Sequence, residues 1–169
     1  EELLRGMVES LELSPSHNST SLKFSESFDK IEFIPSLESA INRTFPSPED
    51  LGTKESLNFL RSLCAEQGIS MEGQVISVSR LLDKLMGRLV EPDLVQPTFL
   101  LHHPLVMSPL AKEHRSVPGL SERFELFIGG REVANAYTEL NDPDLQRLAL
   151  ASEARSDDPE AMLPNEDYC

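Results

Sequence analysis

Near the end of the chain, the stretch "NAYTELND" places an amide, a phenol and a carboxylate at every second position, as Asn135, Tyr137 and Glu139. In a strand, alternate side chains share a face. One face would then carry an acidic head (Glu139), an aromatic ring able to cover an aliphatic stem (Tyr137) and an adaptable polar group (Asn135). Such a set suits a small polar ligand with a cationic end. The same residues also decorate exposed edge strands, and the pattern alone leaves both readings open.

A second pair lies just upstream. Glu125 and Glu132 flank Gly129-Gly130, a dipeptide suited to a two-residue turn with positive φ. Laid out as a regular ladder, Ile128 opposes Arg131, Phe127 opposes Glu132 and Glu125 opposes Ala134. Alternation from Ala134 then brings Glu132 to the face of Glu125. Two carboxylates on one face repel unless a proton or cation lies between them. Mg²⁺ commonly binds through one or two carboxylates while sharing its remaining positions with phosphates and water. The alternative is a solvated acidic strand face. The regular ladder turns Asn135, Tyr137 and Glu139 to the other face.

The elements that would carry these residues follow from periodicity. "ERFELFIGGREVANAYTEL" is the strongest hairpin pattern, and "VQPTFLLHHP" a strand begun near Pro97. "LKFSESFDKIEFIPS" predicts two short strands or one bent strand ending at Pro35. "SLESAINRTF" predicts a short helix capped by Ser36. Further helices are expected in "KESLNFLRSLCAEQGI", with Leu57, Leu60, Leu63 and Cys64 on one face and Gly68 as its stop, and in "SVSRLLDKLMGRLVEP", whose apolar pairs fall at 81/82, 85/86 and 89/90. "EELLRGMVES" reads as part of a helix with Leu3, Leu4, Met7 and Val8 on one stripe. "DPDLQRLALASEARS" reads as a helix begun by Asp142 or Asp144, and "DDPEAMLPNEDY" as a turn into another. Strands and helices without regular βαβ spacing imply an α+β fold, an antiparallel sheet flanked by helices.

Composition narrows the function classes. The 169 residues carry 15 basic and 29 acidic side chains, a net charge of −14, which argues against this segment alone gripping nucleic-acid phosphates. Cys64 and Cys169 form no metal-ligand spacing, and a reducing compartment is expected. The tripeptides Asn18-Ser19-Thr20 and Asn42-Arg43-Thr44 are read as chance glycosylation patterns. His102 and His103, as strand neighbours, would point to opposite faces, and His17 and His114 stand alone. Phosphate loops, nucleophile elbows and Cys-x-x-Cys pairs are absent from the sequence.

"SPLAK" (108–112), "RFELF" (123–127) and "NAYTELNDP" (135–143) together resemble class II lysyl-tRNA synthetases. "RLLDKLMGRLVEP" and "PTFLLHHP" extend the likeness upstream and "DDPEAMLPNEDY" downstream. "EELLRGMVES" is similar to the family helix that follows motif 2. The likeness covers most of the chain, is weakest over about 14–75, and is best over 76–169. It implies a C-terminal piece of one catalytic domain, between motif 2 and motif 3, with 14–75 a variable or inserted region.

The resemblance also implies a reaction. Lysine's carboxylate attacks the α-phosphate of ATP, releasing pyrophosphate, and the terminal ribose hydroxyl of tRNA-Lys then takes the lysyl group. By residue, Glu139 matches the carboxylate that receives the ε-ammonium, and Asn135 and Tyr137 match its neighbours in the lysine pocket. Glu125 and Glu132 match the acidic residues that hold Mg²⁺ against the ATP phosphates. No residue of the chain is assigned as a general acid, base or nucleophile.

The family places both groups around one cavity, which a regular ladder forbids. The hairpin pairing is therefore expected to break between Glu132 and Asn135. Motifs 1, 2 and 3 and an anticodon-binding domain are not in this sequence, so the segment alone is expected to be inactive, with tRNA contacts lying elsewhere. A homodimer is expected from the resemblance, and "HHPLVMSPLAK" leans toward a mitochondrial form over a cytoplasmic one. Two other readings are a non-catalytic lysine-binding or regulatory paralogue and the related ligase that lysylates an elongation factor; "SPLAK" disfavours the latter. "NAYTELND" disfavours aspartyl and asparaginyl relatives, whose substrates are small acids or amides.

Overall fold

The computed structural model describes residues 1–11, 14–17, 20–71 and 76–154. Helices α1 (Glu2–Ser10), α2 (Phe33–Ile41), α3 (Lys54–Glu66), α4 (Val78–Leu89) and α5 (Pro143–Ala154) accompany two sheets. The small sheet pairs β1 (Ser16–His17) with β2 (Thr20–Ser21). The main sheet has the order β3-β4-β5-β6, formed by Asp29–Glu32, Thr98–Leu101, Arg123–Ile128 and Arg131–Tyr137. The α+β expectation holds. The main sheet is mixed, because β3 runs parallel to β4 while β4–β5 and β5–β6 are antiparallel. Parallel neighbours require a long crossover, and α2, α3 and α4 supply it.

Each crossover helix starts and stops for a local reason. Thr53 caps α3 by accepting from the Ser56 amide, and Gly68, with φ 68°, follows its end. Ser77 caps α4 by accepting from the Arg80 amide, and α4 ends at Leu89, ahead of Pro92. Helix α2 departs from the sequence expectation, beginning at Phe33, two residues before Pro35. Proline is tolerated there because a first-turn amide has no intrahelical partner anyway. Ser36 consequently lies inside the helix rather than at its cap, and its hydroxyl donates to the Glu32 carbonyl at 2.6 Å.

The apolar faces meet in one core. Leu37 of α2, Leu60 and Leu63 of α3, and Leu81, Leu82 and Leu85 of α4 are fully buried together with Leu100 of β4. Phe127 of β5 closes the sheet side of this cluster. Elsewhere Phe28, Phe99 and Phe124 form a chain of ring contacts, with centroids 5.9 and 5.4 Å apart. On the predicted stripe of α1, Leu4 and Val8 are half-buried while Leu3 and Met7 are exposed. Among the described residues no helix is long and apolar enough to cross a membrane.

The segment between β4 and β5, which contains "SPLAK", is pinned to the crossover at Gly119. That glycine has φ 75°, and a Cβ on it would lie 2.4 Å from the Glu49 nitrogen and from the Pro48 carbonyl carbon. Gly119→Ala therefore combines a left-handed strain with a backbone clash. A loss of more than about 2 kcal/mol is expected in denaturant unfolding. A loss within about 0.5 kcal/mol, the range of ordinary surface changes, would mean the 48–50 turn retreats freely.

Candidate active site on a bulged hairpin

The β5–β6 turn is Gly129-Gly130, with φ 64° and 69°, and both glycine amides donate to the carbonyls of Val95 and Leu94. From the turn the ladder pairs Ile128 with Arg131 and Phe127 with Glu132. It then shifts, pairing Leu126 with Ala134, Glu125 with Asn135 and Arg123 with Tyr137. Val133 is the extra residue. Glu125 thus faces Asn135, not the Ala134 of a regular ladder. The irregularity lies between Glu132 and Asn135, where the sequence expectation put it. Because a bulge sets two residues against one, Glu132, Asn135 and Tyr137 share the face of Glu125 and Arg123.

Arg123 ties this face together. Its Nε donates to Asn135 Oδ1 at 3.1 Å, and its Nη2 donates to Glu125 Oε1 at 2.6 Å. Its Nη1 reaches the Met107 carbonyl and Ser108 Oγ, each at 3.1 Å, at the head of "SPLAK". Asn135 Nδ2 completes a triangle by donating to Glu125 Oε1 at 3.3 Å. Beneath them, the buried His103 ring packs at a tilt against Phe33, with centroids 5.1 Å apart, and brings Nε2 to 3.2 Å from Glu125 Oε2. The contact is a close pairing of the buried ring with the carboxylate. Burial alone would raise the Glu125 carboxyl. The neighbouring His103 ring and Arg123 guanidinium more than offset this and hold it below the ordinary range.

Glu91, in the short turn after α4, shows the opposite shift. Its carboxyl is pushed up to about 7, first by burial and then by Asp83, Glu125 and Glu132. An acid whose folded value is raised stabilises the fold when protonated, and that contribution is lost as pH rises from about 4.5 to 7. Glu91→Gln should flatten stability over that window and raise it above pH 7. An unchanged pH profile in urea unfolding would show that Glu91 titrates normally.

Asp83, Glu125 and Glu132 around Glu91 make this face acidic. Among the described residues no three His, Cys, Asp or Glu converge on a metal position. A Mg²⁺ held by Glu125 and Glu132 would have to take its other positions from outside this protein cage, from phosphate and water.

Glu139 stands apart from this group. β6 ends at Tyr137, and Glu139 is exposed, making an isolated bridge to Ala111. Around it the backbone clamps "SPLAK": Lys112 N donates to the Thr138 carbonyl at 2.7 Å and Leu140 N to the Leu110 carbonyl at 2.9 Å. Asp142 then caps α5, its Oδ1 accepting from the amides of Asp144 and Leu145, as the sequence allowed. Gln146 of α5, nearly buried, donates to the Pro109 carbonyl at 2.8 Å. "NAYTELND" is thus half hairpin and half loop anchor.

Two residues of the site escape sequence reasoning. Arg123 lies in a quoted motif but shows no role until its four acceptors are seen. His103 looks like a strand residue opposed to His102. Instead β4 ends at Leu101 and His102 takes φ 57°, so strand alternation does not apply. His102 packs edge-on against the His114 ring, 4.7 Å away, so His114 is not isolated. "DDPEAMLPNEDY" and Cys169 lie outside the described residues.

The family model for class II tRNA synthetases (D, K and N) matches residues 1–169. The chain belongs to the class II tRNA synthetases. A probable cytoplasmic lysine–tRNA ligase of Encephalitozoon cuniculi is 43% identical over all of this synthetase chain and 36% of its own length. The lysine–tRNA ligase cla4 of Cladosporium cladosporioides is 41% identical over 83% of the chain and 24% of its own length. A lysine–tRNA ligase of Sulfolobus acidocaldarius is 36% identical over 90% of the chain and 30% of its own length. The chain spans about a third or less of the curated relatives it matches.

Proposed function

We propose that this chain is the part of a lysine–tRNA ligase that carries the lysine-reading residues and the metal-binding carboxylates. The observation that carries the reading is that five relatives, at 36–43% identity, are named lysine–tRNA ligases or probable ones. Neither the regulatory nor the elongation-factor alternative has an observation in its favour. In this proposal Glu139 receives the ε-ammonium of lysine, Tyr137 covers its aliphatic stem and Asn135 orients its polar end. Glu125 and Glu132 hold Mg²⁺, which when bound neutralises charge on the ATP phosphates. No residue is asked to make or break a covalent bond. Positioning and charge neutralisation carry the acceleration.

The proposal extends to tRNA-Lys as acceptor, to a homodimer, and to 14–75 as the variable part of the domain. Names of several relatives include "cytoplasmic", which favours the cytoplasm over the mitochondrial lean of "HHPLVMSPLAK". The full-length protein should catalyse ATP–pyrophosphate exchange with lysine and charge tRNA-Lys. Exchange driven instead by aspartate or asparagine would overturn the reading.

A further inference from the structure

Resting on the ligase reading, we propose that Arg123 is a positioning residue that couples the metal–nucleotide side of the site to the lysine side through the amide of Asn135. The orientation of that amide is dictated by its neighbours. Arg123 Nε can only donate, so it meets Asn135 Oδ1 at 3.1 Å and leaves Nδ2 to donate to Glu125 Oε1 at 3.3 Å. The Asn135 amide is therefore occupied at both ends before any ligand arrives. Glu125 Oε1 is shared, since it also accepts from Arg123 Nη2 at 2.6 Å.

A cation that drew Glu125 Oε1 to itself would take the acceptor from Asn135 Nδ2. Arg123 stays anchored at the Met107 carbonyl and Ser108 Oγ and keeps hold of Asn135 Oδ1. The amide is left with its donor free and its carbonyl end fixed, poised for a ligand acceptor such as lysine's carboxylate. Lysine alone must displace the Asn135–Glu125 hydrogen bond itself, so it binds more weakly. An ammonium cannot replace this residue, because four acceptors on three segments need the rigid fork of a guanidinium.

Binding calorimetry on the full-length protein tests this, with lysine titrated alone and after Mg²⁺ plus a non-hydrolysable ATP analogue. The parent should bind lysine at least about 5-fold tighter in the second case, at the low end of ordinary couplings. Arg123→Lys should bring the ratio near unity. Asn135→Ala, at an exposed position, should do the same even if Arg123→Lys fails to fold. A ratio near one in the parent, or a full ratio surviving in either folded variant, overturns the coupling. A parent that binds no lysine under either condition instead overturns the ligase reading, and the coupling with it.

Discussion

Replacing Glu139 with Gln is expected to lower lysine-dependent ATP–pyrophosphate exchange by on the order of 10²–10³-fold, while ATP affinity changes by less than about 3-fold. The size follows from removing one partner of a desolvated ion pair, which costs about 3–5 kcal/mol. The selectivity follows from a carboxylate that is left unpaired by any amino acid lacking a terminal cation. Magnitude also decides between two pictures of this residue. Glu139 is exposed among the described residues, and an exposed pair is worth only about 0–1 kcal/mol, or at most about 5-fold. A loss that small would remove Glu139 from the role of specificity carboxylate. A large loss would show that the rest of the protein closes over it.

Glu125→Ala is expected to act on both stability and chemistry. Its side chain is 12% exposed and that of Arg123 17%, so the variant leaves a largely buried guanidinium without its counter-charge. Breaking such a pair costs about 3–5 kcal/mol, readable as a lower denaturation midpoint of the full-length protein. The variant should also require several-fold more Mg²⁺ for half-maximal exchange. Glu125→Gln separates the two effects. It keeps an oxygen for Arg123 and should recover much of the stability, yet it remains defective in the Mg²⁺ titration. Normal Mg²⁺ dependence in Glu125→Gln would show that Glu125 holds Arg123 in place and does not serve the metal.

Much of the scaffold is legible in the sequence because its causes are local. Gly68 announces a helix stop, the 81/82 and 85/86 pairs announce a buried face, and a double glycine announces a hairpin turn. Where a local rule admits two outcomes the sequence is ambiguous: Pro35 can end a strand or, as here, sit in a helix's first turn.

The site is legible in its parts but not in its arrangement. Residue types and spacing marked Asn135, Tyr137, Glu139, Glu125 and Glu132 as candidates, and the family resemblance gave them roles. The conflict between the single cavity implied by the family resemblance and a two-residue period located the bulge. Only the tertiary structure decided that Val133 is the extra residue, that Glu125 faces Asn135, and that Glu139 lies past the strand's end. It alone decided that Arg123 gathers Met107, Ser108, Glu125 and Asn135, and that the buried ring of His103 lies under Glu125. The physical reason is range: periodicity and capping act over a few residues, whereas a guanidinium's acceptors and a carboxylate's electrostatic neighbours come from segments brought together only by folding.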